Sequence, residues 1–152
     1  MRLPIARQWS RPLEEIYGRP WASLADLNVA LIRLLMDGFG IEAELVLSSQ
    51  LRPQGQATEM LASLCQLAGA DVLRVGTGAA GHGGYLDRDL LARAGITVQV
   101  AGFSYQPYPQ AFPGFTSGLS ALDLLLNCGP GARRVLADCG TVTALEAPAV
   151  TA

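Results

Sequence analysis

The chain contains a single histidine, His82, and it lies in a run of glycines: Asp71 to Asp87 reads DVLRVGTGAAGHGGYLD. An imidazole has the side-chain pKa nearest neutrality, so His82 is the natural general acid or base of this sequence. The glycines around it (Gly76, Gly78, Gly81, Gly83 and Gly84) are costly to order. Five in one stretch call either for left-handed backbone angles or for a bound group that approaches the main chain closely. Backbone N–H groups in such a loop can cradle a phosphate or carboxylate, helped by a helix beginning near Asp87. GTGAAG fits G-x-G-x-x-G after a strand, but His82-Gly83-Gly84 occupies the place where a dinucleotide-binding helix would already run. The acidic partner about twenty residues further on is also absent. The stretch therefore predicts an anion cradle, and no cofactor is expected.

The remaining candidates are spread along the chain. Asp123 can share proton handling with His82, although Ser120 and Asp123 also match a capping box that accounts for both structurally. Ser48 and Ser49 offer adjacent hydroxyls that either bind an anion or turn the chain. Together with Gly76, Gly78 and Gly81, they would form the substrate-binding set with Tyr85, Tyr108 and Gln110. Those last three supply hydrogen bonds or a stacking face, or else simply anchor their loops. The bland alternative for His82 is an exposed loop histidine with no role. One histidine cannot build a His-rich metal site, and no acidic residue stands at helical ligand spacing from it, so no metal is predicted.

Composition narrows the classes. At 152 residues, half of them hydrophobic and 16% charged, the chain is a folded protein of single-domain size. The formal charge of −2 arises from 13 acidic and 11 basic side chains, and every basic one is arginine. Without lysine there is no Schiff base and no Walker-type phosphate loop. No basic block points to nucleic acid. Cys65, Cys128 and Cys139 have no short-spaced pair, which argues against a disulfide framework or a cysteine zinc site. No apolar run reaches membrane-spanning length, and the N-terminus lacks an apolar signal core. These features predict a cytoplasmic protein with no membrane and no nucleic-acid partner, acting on a small, anionic substrate.

The elements that must position these residues follow from periodicity. Residues 1–22 mix arginines and prolines without a period and read as an irregular lead-in, with one helical turn around Leu13–Tyr17. Ser23 and Asp26 cap a helix whose Leu24, Leu27, Leu31, Leu34 and Leu35 share a face, and Gly38 and Gly40 end it. Glu42–Leu47 reads as a buried strand. Thr58 or a neighbour caps the next helix, which ends at Gly69, with Cys65 inward. Val72–Val75 is a strand, Asp87 caps a short helix stopped by Gly95, and Ile96–Val100 is another strand. Strands alternating with helices over short connections predict an α/β fold: a small three-layer domain, 23–140, with a mainly parallel sheet and crossover helices. Gly102–Gly118 is a long aromatic and proline-rich loop, the kind usually tied to function. A last helix, Ala132–Ala137, precedes a tail expected to fray from 141.

Several phrases, in order, resemble the WbqC-like proteins found in bacterial polysaccharide and natural-product gene neighbourhoods. They are SLADLNVALIRLLMDGFGIEAELVLSSQL, TEMLASLCQLAGADVLRVGTGAAGHGGYLD, AGITVQV and YPQAFPGFTSGLSALDLLLNCGP. The resemblance implies a transferase acting on an activated acyl, aminoacyl or sugar-nucleotide substrate in O-antigen or natural-product biosynthesis. The family's usual opening, a Q-P-x-x-x-P-W-like phrase, is not found in residues 1–22. The resemblance therefore implies the C-terminal portion of such a protein: a short form, a fragment, or one part of a split pair whose partner supplies the N-terminal half. The alternative to an enzyme is a non-catalytic ligand-binding or partner-completing module.

Overall fold

A computed structural model of the chain describes residues 4–80 and 86–145. The fold divides into two compact units, Met1–Ala43 with Ser104–Cys139, and Glu44–Phe103 with Gly140–Ala152.

The first unit is helical. Helix α1 (Pro4–Tyr17) runs through Pro12, and Arg11 Nε donates to Glu15 Oε1 one turn on at 3.0 Å. Over residues 4–17 it takes the place of the irregular lead-in expected there. Prolines and arginines hide the period locally, but packing decides: Trp9 lies against the buried cluster of Phe39, Leu124, Leu125 and Ala132. Helix α2 (Leu24–Phe39) starts as expected at Ser23, whose hydroxyl accepts from Asp26 N–H at 3.2 Å and donates to the Asp26 carboxylate at 2.8 Å. Gly40 ends it in the left-handed region at φ 61°. Gly38 is inside the helix rather than its stop. A Cβ there would stand 2.5 Å from Cδ2 of the fully buried Leu125, so this glycine sets how closely α2 approaches its neighbour. That neighbour is a later helix, Ala121–Cys128. A turn of 3-10 helix, Gly129–Gly131, then leads into the last helix of the unit, Ala132–Cys139, which is longer than expected.

The second unit is a layer of helices on a three-stranded sheet. Residues 42–47, expected as a strand, run without sheet pairing, and Ser48 and Ser49 open a short helix, α3 (Ser48–Leu51). Helix α4 (Ala57–Leu67) follows, then β1 (Val72–Gly76), a helical turn α5 (Thr77–Ala80), α6 (Arg88–Arg93), β2 (Thr97–Phe103) and β3 (Gly140–Ala144). In chain order the two helices between β2 and β3 are α7 (Ala121–Cys128) and α8 (Ala132–Cys139). The α/β class holds. β1 and β2 pair in parallel across the α6 crossover, with Leu73 opposite Val98, and β3 joins the far side of β2 antiparallel. Over residues 141–144, β3 takes the place of the fraying expected there. Its register against β2 is a pairing between distant parts of the chain that no local pattern announces. Ala62 and Cys65 of α4, Leu91 of α6, and Ile96 and Val98 form the core, with Leu73, Val75 and Leu145 against it. Asp87 caps α6 as expected, accepting from Leu90 N–H at 2.9 Å. Thr58 does not cap α4. It is buried within the first turn, and its hydroxyl accepts from Asp87 N–H at 3.0 Å, tying α4 to the start of α6. Among the described residues no helix is long and apolar enough to cross a membrane.

Candidate functional site: a carboxylate clasp under an aromatic loop

In the first unit, residues 104–120 form neither helix nor strand. This loop is held down by one side chain of α7. Tyr108 Oη donates to Asp123 Oδ2 at 2.7 Å, and Gln110 Nε2 reaches the same oxygen at 3.4 Å. From one turn further along α7, Asn127 Nδ2 donates to Asp123 Oδ1 at 3.1 Å and to the Asp123 carbonyl at 2.8 Å. Both carboxylate oxygens are thus engaged, by three side-chain donors. Ser120 does cap the helix, accepting from Leu122 N–H at 3.2 Å. The capping box is not completed, because the Asp123 side chain turns to the loop instead.

Gln110 also closes the loop on itself. Its Oε1 accepts from Thr116 N–H at 2.8 Å and its Nε2 donates to the Thr116 carbonyl at 3.0 Å, so one amide side chain pairs with both backbone groups of Thr116. The segment between them turns at Gly114, where φ is +91°. Phe115 meets the Tyr108 ring edge to face, centroids 5.3 Å apart at 76°. With its base fixed in this way, the loop presents its other aromatic side chains outward: Phe112 is 84% exposed and Tyr105 56%. Rings held exposed beside a polar clasp are an unusual use of aromatic area.

The electrostatics do not favour nucleophilic chemistry at this cluster. Burial pushes the Tyr108 phenol above its ordinary pKa, and the hydrogen bond to Asp123 adds to this. Burial also raises the Cys128 thiol, with the Asp123 charge contributing, and burial alone raises Cys65. At neutral pH the cluster therefore holds a protonated phenol and a protonated thiol. Neither is poised as a nucleophile. Asp123 is positioned to orient its donors rather than to sit free as a base.

Of the residues singled out from sequence, Tyr108, Gln110 and Asp123 come together. Asn127 belongs with them, and its i+4 spacing from Asp123 is the signal that could have found it. Phe115 and Thr116 complete the group. In the second unit, Ser48 and Ser49 are exposed on α3. Gly76 ends β1 and Gly78 lies in α5, so a helical turn takes the place of the first part of the expected loop. Neither glycine has a positive φ, and among the described residues nothing lies within 4 Å of where a Cβ would stand on either. Of the two reasons for glycine in this stretch, left-handed geometry does not apply to this pair. Gly81, His82 and Tyr85 lie outside the described residues. Among the described residues, no group of three or more His, Cys, Asp or Glu side chains is placed to hold a metal ion.

No solved structure matches the chain. Among curated proteins, the uncharacterized protein Rv1507c of Mycobacterium tuberculosis is 32% identical over 118 residues, 77% of this chain and 50% of that protein. The chain thus spans about half the length of the curated relative it matches. The sequence model of the WbqC-like protein family matches residues 2–135. That match takes in the whole of α1 rather than starting at residue 23, and it includes α2, the aromatic loop and the Asp123 clasp. On this coverage the chain belongs to the WbqC-like protein family.

Proposed function

We propose that this chain is the substrate-binding part of a bacterial, cytoplasmic transferase of surface-polysaccharide or natural-product biosynthesis, with the clasped aromatic loop as its platform. The substrate is an activated acyl, aminoacyl or sugar-nucleotide compound. The observation that carries this reading is the Asp123 clasp, which spends three hydrogen-bond donors to hold a loop whose exposed tip is aromatic. Exposed rings on a fixed backbone stack on the flat face of a base or the apolar face of a sugar at little entropic cost. In this reading Asp123 is a positioning residue and proton handling falls to His82. Among the described residues nothing stands where a Cβ on Gly76 or Gly78 would lie, so an anionic group has room to approach the main chain there.

The saturation of Asp123 also favours a second reading, in which the chain binds but does not catalyse and a protein partner supplies the chemistry. Both readings require binding, which thermal-shift titration tests. A panel of sugar nucleotides, acyl thioesters and aminoacyl adenylates should include a member that raises the melting temperature. Phe112→Ala should abolish that rise. A flat response across the panel, or a rise unaffected by Phe112→Ala, overturns the platform reading. If a ligand binds through Phe112, turnover that is lost in His82→Ala supports the enzyme, and binding without turnover supports the module.

A further inference from the structure

Among the described residues β3 is an edge strand of its sheet, and it lacks the features that usually keep an edge from pairing. Its sequence, Gly140-Thr141-Val142-Thr143-Ala144, contains no charge and no proline, and all five residues are exposed. Natural edges are commonly protected by lysine, proline or a bulge.

The ladder to β2 fixes which backbone groups are free. Leu145 N–H donates to Val98 O and Ser104 N–H to Cys139 O, both at 2.9 Å. In an antiparallel pair the hydrogen-bonded positions alternate. Residues 139, 141, 143 and 145 therefore point their N–H and C=O towards β2. Gly140, Val142 and Ala144 point theirs outward, away from the sheet.

The strand is also symmetric about its middle residue. An antiparallel partner of the same sequence, centred on Val142, would place Val142 opposite Val142, Thr141 opposite Thr143 and Gly140 opposite Ala144. The outward N–H and C=O groups at 140, 142 and 144 would then each meet a complementary pair. The threonines would form β-branched cross-strand pairs on one face and the valines would meet on the other, with no like charges opposed. We propose that β3 is a self-pairing strand through which two copies of this chain associate about a two-fold axis, joining their three-stranded sheets edge to edge into one continuous sheet. The partner is a second copy because the strand complements itself in both hydrogen bonding and side-chain size, as an isologous interface requires.

A two-fold centred on Val142 makes residue 142 face itself, and this can be tested by charge. Sedimentation velocity of the full chain over a wide concentration range should show a monomer–dimer equilibrium. Val142→Lys and Val142→Glu each oppose like charges, and each should weaken the dimer by roughly tenfold or more. Val142 is half exposed, so both variants should keep the wild-type far-UV circular dichroism. Mixing the two variants should restore the dimer, because lysine then faces glutamate. A wild-type chain that stays monomeric at every concentration overturns the proposal. So do single variants that dimerise like wild type, or folded variants whose mixture fails to associate.

Discussion

Tyr108→Phe isolates the shortest bond of the clasp. It removes the 2.7 Å hydrogen bond to Asp123 while keeping the ring that packs edge to face on Phe115. A hydrogen bond to a charged group contributes about 1.5–3 kcal/mol. Tyr108 is only half buried, and Asp123 keeps Asn127 and the longer bond from Gln110, so the loss should fall at the low end, about 1.5 kcal/mol. Trp9 and Trp21 both lie in the helical unit, so tryptophan emission during urea unfolding reports the unit that holds the clasp. With a slope of about 2 kcal/mol per molar urea, the midpoint should fall by about 0.75 M with the slope unchanged. A loss below about 0.5 kcal/mol, the range of an ordinary surface substitution, would show that the phenol does not hold the loop. The same variant has a pH signature. Folding raises the Tyr108 pKa above its ordinary 10.0, through burial first and the Asp123 bond second. The folded state therefore holds this proton more tightly than the unfolded chain. That stabilisation is whole below about pH 10 and is lost as the pH climbs from there through the folded-state value. Wild type should lose more stability than Tyr108→Phe over that window, and parallel curves would refute the assignment.

Two further outcomes probe the same unit. Gly38→Ala should destabilise by about 1 kcal/mol in the same urea assay: overpacking of about 2 kcal/mol against Leu125, which has no exposed side to move into, outweighs a helix-propensity gain of about 1 kcal/mol. A stabilised variant would mean that the helices are not in close contact there. Asp123→Asn should speed alkylation of Cys128 relative to Cys65 by roughly twofold or more, because the Asp123 charge raises only the former thiol. An unchanged ratio would separate Asp123 from Cys128.

Local chemistry was legible in the sequence and distant pairing was not. Ser23, Asp87 and Gly40 signal helix ends through bonds made within a turn, and the structure makes those bonds. The α/β class followed from the alternation of elements, and β1 and β2 pair in parallel as it implied. Helix α1 was obscured because Pro12 and scattered arginines break the period, while the packing of Trp9 against the buried cluster of its unit supplies what local propensity lacks. β3 has good strand residues but no meaning until β2 stands beside it. The apolar run at 42–47 fits a strand and gains no partner, since alternation alone cannot say whether an edge is free to receive it. Asp123 shows the same limit at the site: its spacing from Ser120 is that of a cap, and only the folded loop reveals that Tyr108, Gln110 and Asn127 claim its carboxylate.

The proposed platform stands or falls on whether the aromatic loop held by Asp123 touches substrate. NMR of the chain with isotope-labelled phenylalanine and tyrosine, titrated with sugar nucleotides and acyl or aminoacyl donors, observes that contact residue by residue. A binding ligand should shift Phe112 and Tyr105 first, and Asp123→Ala should weaken binding while leaving the sheet unit's spectrum unchanged. A ligand that binds tightly without moving either ring would place the substrate elsewhere and end the platform reading.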